Sequence, residues 1–501
     1  MGDMVQRDRA HPSVFIWSFC NEVGCDNETA AAAFRNISYF YDGTRGVTQN
    51  HLGAGRLPIS EKSLDVQGFS HKSGSTFDTF HSKFKTEPMM ATECCSCLSQ
   101  RGEDYDACPV PRTCVGSSCH VDCAHDGKAE ESNGTFYNNE ISTCTAQQVN
   151  ESDSREFVAG TFVWSGFDYL GEARGWPQTV KPRGVITDIA GFKKETYYWF
   201  RAWWLSNIDA KDAGRPPLPV DTTVFIVDTW RMGLMADGSP MNSTRNIHVY
   251  SDAPLVSIQL NGKEVVPKSP MPGYMNGVFQ VEYAPGNLTA VAHDKDGKML
   301  ASFTRLTPSG ATSLKLSLDA PSPLTGTGSA LVADGEDTAM VRASLLDKGG
   351  ELAVEAMDEI VFTVKSGEGK LWATHSGNPA ADMNKNPVHG DTRAAYHGLA
   401  RAYIRSSSDH STPDAHRRRL REIDLDGGVQ THIADPSQAL AAPLEGIVVS
   451  ATVKACAGKA GCPSDTLTIP LTTDLSQLPQ AVAERAEEAN IRGADSIRGF
   501  V

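Results

Sequence analysis

The sequence predicts an α/β region followed by an all-β region, and its apolar pattern carries that prediction. From residue 1 to about 205, short continuous apolar runs alternate with helical patterns, which is typical of a parallel sheet, open or closed. Beyond about residue 206, apolar and polar residues alternate over short segments separated by turn signals, which is typical of β-sandwiches. The 501 residues are enough for two to four domains.

The first region contains five predicted strands and two predicted helices. A helix over 30–41 follows from its alanines, with Asn27 as its cap. A second helix, over 76–84, has three phenylalanines on one face. The continuous apolar run at 14–19 is expected of a parallel strand buried on both faces. The other four strands are predicted at 47–48, 64–69, 89–92 and 157–164.

Two β-sandwiches are predicted in the second region, over 206–318 and 319–475. In the first, a strand at 255–260 leads into Asn261-Gly262, a strong hairpin signal. The clearest strands of the second sandwich are at 339–346, 360–364 and 447–456.

Two further segments of the second region are polar. The arginine-rich segment 408–426 could be an anion-binding patch, but a solvated loop explains it better. The tail over 476–501 is rich in Ala and Glu and is predicted to be a terminal helix.

The charge balance argues against nucleic acid as a partner. The net charge is −15 and the isoelectric point is near 5.4, whereas phosphate binding needs a basic face. No run of some 18 apolar residues is present, so no membrane span is expected. A neutral or weakly charged substrate fits this composition. The sequence does not specify an oligomeric state.

Cysteines and glycosylation signals indicate a secretory history. The chain has twelve cysteines, most of them between Cys94 and Cys144. Its first residues are polar and show no secretory signal, so we expect the natural N-terminus to lie upstream. We expect a secreted, secretory-pathway or lysosome-like location. The six Asn-x-Ser/Thr sequons begin at Asn27, Asn36, Asn133, Asn150, Asn242 and Asn287.

Two glutamates stand directly after predicted parallel strands. Glu22 follows the first strand, and Glu93 follows a strand two to three βα units further on, at roughly 25–30 residues per unit. The carboxyl ends of barrel strands form the catalytic face, so the two carboxylates can meet there. Glycoside hydrolysis uses such a pair, one to protonate the leaving oxygen and one to attack the anomeric carbon.

Several ordered segments resemble glycoside hydrolase family 2. Residues 4–22, ending in Asn-Glu, resemble the acid/base signature, although the family usually has Asn for Ala10 and Gly for Cys20. The segments 65–71, 81–93, 160–172 and 184–198 are similar to the later barrel strands and the closing segment. A weaker resemblance continues to about residue 475, and it is to β-galactosidase-like members with extra C-terminal sandwiches.

The resemblance implies a fold and a set of roles. Residues 1–205 would be strands 4–8 of a (β/α)₈ TIM barrel, the C-terminal part of a catalytic domain, followed by two immunoglobulin-like β-sandwiches. Glu22 would be the general acid/base and Glu93 the nucleophile. Asn21 would hydrogen-bond the sugar 2-hydroxyl, and Trp164 would form the platform under the sugar ring. The chemistry requires Glu22 to be protonated and Glu93 to be ionised.

One departure from the family lies beside the nucleophile. Where relatives usually have Asn-Tyr, with the Tyr bonding the nucleophile, this chain has Ser70-His71. His71 could replace that donor at Glu93 and help bind substrate, or it could have a structural role. Asp168 and Tyr169 are expected to brace their loop and not to touch the sugar.

The cysteine-rich segment has two interpretations. Disulfides that staple a loop insertion over about 94–150 are favoured over a metal site, because no pair of CxxC knuckles has zinc-finger spacing. Cys456 and Cys462 are close enough in sequence to pair. Cys20 and Cys25 flank the acid/base, and either could be a buried free thiol.

These observations predict a retaining exo-glycosidase of the β-galactosidase type, acting on an oligosaccharide or glycoside substrate by double displacement. No cofactor is required by this chemistry, and the sequence shows no ligand set for Mg²⁺ or another metal. The alternative hypothesis is a truncated or inactive glycosidase that acts as a carbohydrate-binding or interaction module.

Overall fold

The computed structural model describes most of the chain, in two compact units that comprise Met1–Thr307 and Pro308–Phe500. None of the helices in the described part is long and apolar enough to cross a bilayer. The described residues are 1–25, 27–51, 63–72, 74–95, 101–102, 113–115, 118–120, 149–171, 180–206, 222–232, 242–322, 327–333, 335, 337–379, 388–406, 446–459 and 461–472.

A parallel sheet of five strands opens the first unit. Its strands are adjacent in sequence order, β1-β2-β3-β4-β7, and every pairing is parallel. Parallel strands that follow one another in chain order must be joined by crossover connections, and these connections lie on one side of the sheet, as in the wall of a barrel. The bounds are β1 Ile16–Glu22, β2 Gly46–His51, β3 Gln67–Ser70, β4 Met89–Cys95 and β7 Val158–Trp164.

Three helices belong to this sheet, α1 Gly2–Asp8, α2 Glu28–Tyr41 and α3 Gly74–Lys83. The Asn27 side chain accepts a hydrogen bond from the Ala30 amide and so caps α2, as predicted. The phenylalanine stripe of α3 packs on the sheet in one core with Phe69, Phe77, Phe80, Met89, Ala91 and Val158. Helices therefore cover the sheet face, and the strand ends are left for other contacts.

Smaller elements complete the first part of this unit. Two short pairs are β5 Thr113–Val115 with β6 Ser118–His120, and β8 Tyr169–Leu170 with β9 Val180–Lys181. Helix α4, Glu195–Ser206, carries Trp199, Phe200 and Trp203 into a core shared with the β-strands that follow.

The first β-sandwich closes the unit. A three-stranded sheet, β10-β11-β14, and a four-stranded sheet, β13-β12-β15-β16, enclose one apolar core. The Asn261-Gly262 hairpin has φ angles of 52° and 79°, the positive values that such a turn requires. The strands are β10 Val224–Ile226, β11 Thr244–Ser251, β12 Leu255–Leu260, β13 Lys263–Pro270, β14 Asn276–Glu282, β15 Asn287–His293 and β16 Met299–Leu306.

The second unit is a second two-layer sandwich. Sheets β17-β19-β23-β21 and β22-β20-β24-β25 share one apolar core, and β18 pairs with β26. The predicted immunoglobulin-like topology of both sandwiches stays a prediction. The strands are β17 Ser313–Ala320, β18 Leu331–Val332, β19 Thr338–Leu346, β20 Glu359–Ser366, β21 Gly369–His375, β22 Thr392–Ala394, β23 Leu399–Ser406, β24 Ile447–Val453, β25 Ser464–Ile469 and β26 Leu471–Thr472.

Most predicted strand limits differ from those observed by one to a few residues, and two of the differences have a clear cause. The third strand begins at Gln67, because Leu64 is buried in the preceding loop against Val5 and Trp17. Strand β24 ends at Val453, and a 3-10 helix then brings Cys456 to Cys462, which form the predicted disulfide. The arginine-rich segment, the terminal helix and most of the cysteine-rich insertion lie outside the described residues.

Candidate active site

The C-terminal ends of the parallel strands bring the predicted site residues to one edge. In the strand register Glu22 lies opposite His51, and Ser70 lies opposite Glu93. Trp164, the last residue of β7, lies opposite Cys95 of β4. Because parallel strands share a direction, all these residues meet at the same edge of the sheet.

At this edge Glu22, His71 and Glu93 form a compact triangle. One side-chain N or O atom from each lies within 4.8 Å of the other two. His71 Nε2 is 3.1 Å from Oε1 of Glu93 and 3.8 Å from Oε1 of Glu22. The Ser70 hydroxyl donates a 2.7 Å hydrogen bond to Oε1 of Glu22. The two carboxylates are therefore close enough to act on one bound sugar.

Asn50 of β2 links the nucleophile candidate to Asn21. Its Nδ2 donates to Oε2 of Glu93 at 2.5 Å and also to the Asn21 side-chain oxygen. Its own Oδ1 accepts a 2.8 Å hydrogen bond from the Thr92 hydroxyl. This fixes the Asn50 amide so that its N–H groups point at Glu93 and Asn21.

Gly68 of β3 makes that network possible. Thr92 lies on β4 and Asn50 on β2, so their hydrogen bond passes over the intervening strand. A Cβ at Gly68 would lie 1.7 Å from the Gln49 carbonyl oxygen and 2.6 Å from the Thr92 methyl group. Only a glycine leaves room for the two flanking strands to approach in this way.

We expect Gly68→Ala to disturb both stability and the site. The added methyl group must push Thr92 and the Gln49 backbone apart, at a cost of about 1–3 kcal/mol or more in the free energy of unfolding. Urea denaturation measures that loss. Gly166→Ala is the matched control, because an added Cβ there meets nothing within 4 Å; equal stability of the two variants would contradict this account of Gly68.

The surroundings of Glu93 favour its ionised form. Burial by itself would raise the pKa of this carboxyl. Three neighbours lower it: His71 by its hydrogen bond and charge, Asn50 by its hydrogen bond and Arg183 by its charge. The pKa of Glu93 ends below its usual value. The opposing groups therefore outweigh desolvation, and Glu93 is an anion at neutral pH.

Trp164 stands at the rim, with 40% of its surface exposed. Its indole N–H donates a 3.1 Å hydrogen bond to the Tyr169 hydroxyl, which fixes the ring. Asp168 is buried, accepts from the Gly184 amide and pairs with Lys194 at 2.6 Å. Burial raises the pKa of Asp168 to about 6 even beside Lys194. Asp168 and Tyr169 thus brace the loop that carries Trp164.

One expectation about cysteines is wrong. Cys20 and Cys25 are bonded to each other across the turn that carries Glu22, so neither is a free thiol. The two cysteines are five positions apart in sequence, and the turn that follows β1 brings their Cα atoms to 5.7 Å. Cys94, next to Glu93, is also disulfide-bonded.

Sequence reasoning missed Asn50 and the metal-ligand geometry of the triangle. Asn50 lies two residues beyond the predicted strand Val47-Thr48, near the C-terminal end of a parallel strand, a position that could have identified it. The spacing of the βα units predicts that Glu22 and Glu93 meet. The ligand atoms come from three different strand ends, however, and no motif in the sequence indicates that His71 lies near both carboxylates.

Three family models match separate parts of the chain. Residues 1–93 match the model described as glycosyl hydrolases family 2, TIM barrel domain, and residues 323–413 match glycoside hydrolase family 2 C-terminal domain 5. Residues 1–93 and 323–413 thus both match models of glycoside hydrolase family 2. Residues 242–301 match a domain of unknown function, DUF4982.

Known relatives extend the match along the chain. The beta-galactosidase BoGH2A of Bacteroides ovatus is 24% identical over 452 residues, which cover 81% of this chain and 48% of that protein. The chain thus spans about half the length of this family 2 relative.

The fold is similar to that of solved glycosidase structures. A beta-glycosidase from Bacteroides vulgatus superposes with a TM-score of 0.66 at 20% identity, covering 93% of this chain and 52% of that one. A beta-glucuronidase from glycoside hydrolase family 2 superposes with a TM-score of 0.63 at 18% identity, covering 95% and 40%.

Proposed function

We propose that the chain hydrolyses β-linked terminal sugars with retention of configuration, Glu93 acting as nucleophile and Glu22 as acid/base. The supporting observation is the separation of their carboxylates, whose oxygens approach within 4.8 Å. Retaining enzymes hold the two carboxyl groups about 5–5.5 Å apart, whereas inverting enzymes need about 6.5–9.5 Å to admit a water between them.

In the first step the Glu93 carboxylate attacks the anomeric carbon. Attack needs an anion, and the donors from His71 and Asn50 keep Glu93 ionised. The same donors set the plane of the carboxylate, so that little orientation has to be acquired on the way to the transition state. The bond from the anomeric carbon to the leaving oxygen breaks as the bond to Glu93 forms.

Glu22 transfers the proton in both steps. It gives its proton to the leaving oxygen, and as a carboxylate it then accepts a proton from the water that releases the sugar from Glu93. The Ser70 hydroxyl at 2.7 Å holds the Glu22 side chain in place. Asn21 faces the same edge and would hydrogen-bond the sugar 2-hydroxyl, while the exposed ring of Trp164 would lie under the pyranose.

A β-galactoside is the substrate we propose first, and a β-glucuronide is the second candidate. Two observations favour the β-glucuronide, whose sugar carries a carboxylate, as the second candidate. The charge of Glu22 acts on Lys72, and the charge of Arg183 acts on Glu93, so two cationic side chains lie within electrostatic range of the reacting centre. A sugar carboxylate would be attracted to such groups.

A panel of aryl β-glycosides tests the proposal. We expect release of the aryl group from the β-galactoside above all others, with the β-glucuronide, β-mannoside and the α-galactoside as comparisons. Proton NMR of the first-formed sugar should show the β-anomer, because two displacements retain configuration. First formation of the α-anomer, or no hydrolysis of any β-glycoside by the folded chain, would refute the proposed reaction.

We expect His71→Phe to move the acidic limb of the pH profile of kcat/KM to higher pH. His71 lowers the pKa of Glu93, so its removal raises that pKa, and Glu93 then ionises at a higher pH. His71→Gln keeps a donor without the charge and should give a smaller displacement. An acidic limb that stays at the wild-type pH in both variants would show that His71 does not set the ionisation of Glu93.

We further propose that the protein resides in an oxidising compartment. The two described pairs, Cys20–Cys25 and Cys456–Cys462, are bonded, and such bonds persist in secreted and secretory-pathway proteins. Mass mapping of non-reduced peptides from natural material tests this; free alkylation of all four cysteines would contradict it.

A further inference from the structure

The triangle of Glu22, His71 and Glu93 has the composition of a transition-metal site. It offers one imidazole nitrogen and two carboxylate oxygens, all within 4.8 Å of one another. Imidazole nitrogens and carboxylate oxygens both bind Zn²⁺, and three protein ligands with an open fourth position are a known tetrahedral arrangement. Mg²⁺ demands near-octahedral oxygen coordination and keeps its waters, so the nitrogen favours a zinc-type ion.

The distances fit such an ion with little movement. Zn–N and Zn–O bonds of about 2.0–2.2 Å place tetrahedral ligands roughly 3.3–3.5 Å apart. His71 Nε2 already lies 3.1 Å from the oxygen of Glu93 and 3.8 Å from that of Glu22. The 3.8 Å separation of His71 from Glu22 has to shrink slightly, as does a carboxylate separation of up to 4.8 Å. An ion of charge +2 favours this, because it replaces the mutual repulsion of the carboxylates by attraction.

The surroundings would hold these ligands in place. Asn50 donates to Oε2 of Glu93 and leaves Oε1 toward His71, and Ser70 fixes Glu22 by its hydroxyl. Outer contacts of this kind orient metal ligands and raise affinity. The side chains of Glu22, His71 and Glu93 are 25%, 13% and 17% exposed, so an ion can reach them from solvent.

The geometry points to a zinc-type divalent metal ion that binds Glu22, His71 and Glu93 together and thereby blocks the site. A bound ion occupies the carboxylate that would attack and the one that would give its proton. Any proton on Glu22 or on Nε2 of His71 leaves to solvent as the bonds to the metal form. Metal binding stands on the ligand geometry alone, whereas the inhibition rests on the proposed function.

His71 is the residue that distinguishes this site. A tyrosine, the residue expected from the family pattern, could bond the nucleophile, but its phenol keeps its proton to a pKa near 10 and is a poor ligand at neutral pH. Zinc sensitivity should therefore depend on the nitrogen of His71. His71→Tyr removes that nitrogen and keeps a hydrogen-bond donor toward Glu93.

Isothermal titration of the full chain with ZnCl₂ tests the metal site without any assay of hydrolysis. We expect one tight binding event, and a loss of affinity of at least about 100-fold in His71→Tyr and in Glu93→Gln, since loss of an outer contact alone costs 10–100-fold. His11→Gln is the control, because His11 is exposed and lies before β1, at the other end of the strand from Glu22; its tight event should remain.

The outcomes separate the metal site from the proposed function. Circular dichroism establishes whether each variant is folded. If either His71→Tyr or Glu93→Gln fails to fold, the other still tests the metal site. Unchanged zinc affinity in the folded ligand variants, or equal affinity for MgCl₂ in the wild type, would overturn the proposal. If the chain hydrolyses glycosides, Zn²⁺ should inhibit the wild type in competition with substrate, and His71→Tyr should resist it. If it hydrolyses none, the calorimetry still decides the metal site.

Discussion

Glu93→Gln is expected to lower kcat/KM for an aryl β-galactoside by on the order of 10⁴-fold or more, since loss of a catalytic nucleophile leaves only the residual contributions of binding. The amide that replaces the carboxylate has nearly the same shape but carries no negative charge. It cannot form the glycosyl intermediate on which the double displacement depends. The fold should persist, because the amide oxygen can still accept from Asn50 while the amide N–H donates to Nε2 of a neutral His71.

Glu156→Gln is the matched control for this substitution. Glu156 is exposed and precedes β7, so it lies at the opposite edge of the sheet from Glu93. Its variant should keep wild-type activity. A 2-deoxy-2-fluoro glycoside with a good leaving group supplies a second measurement, because the slow second step lets the sugar remain attached. Attachment of the fluorosugar to a residue other than Glu93 would show that Glu93 is not the nucleophile.

The strands with strict alternation were the easiest to predict from sequence. Strand β12, Leu255–Leu260, was predicted with its observed bounds, because alternating residues end at a turn whose two residues accept positive φ. Helix α2 was predicted for a comparable reason, since a local cap marks its start. Where the pattern is set by neighbours in the chain, the sequence contains the information needed.

Strand β2 shows why the site was predicted less completely. Only Val47-Thr48 was expected, yet the strand runs over Gly46–His51 and its last five residues are buried. Three of these five, Gln49, Asn50 and His51, are strongly polar, although a buried parallel strand is expected to be apolar. Asn50 is polar because it faces the two carboxylate-bearing strands, and that requirement arises only when β1, β3 and β4 lie beside it.

The meeting of Glu22 with Glu93 was inferred from strand order, and a contact of His71 with Glu93 was one of two possibilities drawn from the family resemblance. The approach of His71 to Glu22 was not predicted. The order of parallel strands determines which ends share an edge, and that order can be estimated from the spacing of βα units. Side-chain distances also depend on the backbone at each strand end, where Glu22 and His71 have φ angles of 59° and 48°. These positive values turn the chain after the strand, and no sequence pattern indicated them.

Glu22→Gln is expected to slow the chain by an amount that depends on the leaving group. A general acid contributes about 10²–10⁴-fold when the leaving oxygen needs a proton. We therefore expect a loss of that size with a disaccharide or alkyl β-galactoside. For a dinitrophenyl β-galactoside, whose leaving group departs as a stable anion, the first step should be almost unaffected. The glycosyl–Glu93 intermediate should then accumulate, because Glu22 no longer activates water for its release.

Rescue by azide distinguishes proton transfer by Glu22 from a merely structural role. As an anion, azide attacks the intermediate without a general base, so it should restore turnover of the dinitrophenyl substrate in Glu22→Ala and yield a β-glycosyl azide by a second inversion. Ser70→Ala is the matched control, since it keeps the Glu22 carboxyl and removes only the 2.7 Å hydrogen bond that positions it. Its loss should be smaller and should vary little with the leaving group. An equal loss with all leaving groups in Glu22→Gln, together with no response to azide in Glu22→Ala, would mean that Glu22 shapes the strand end without transferring a proton.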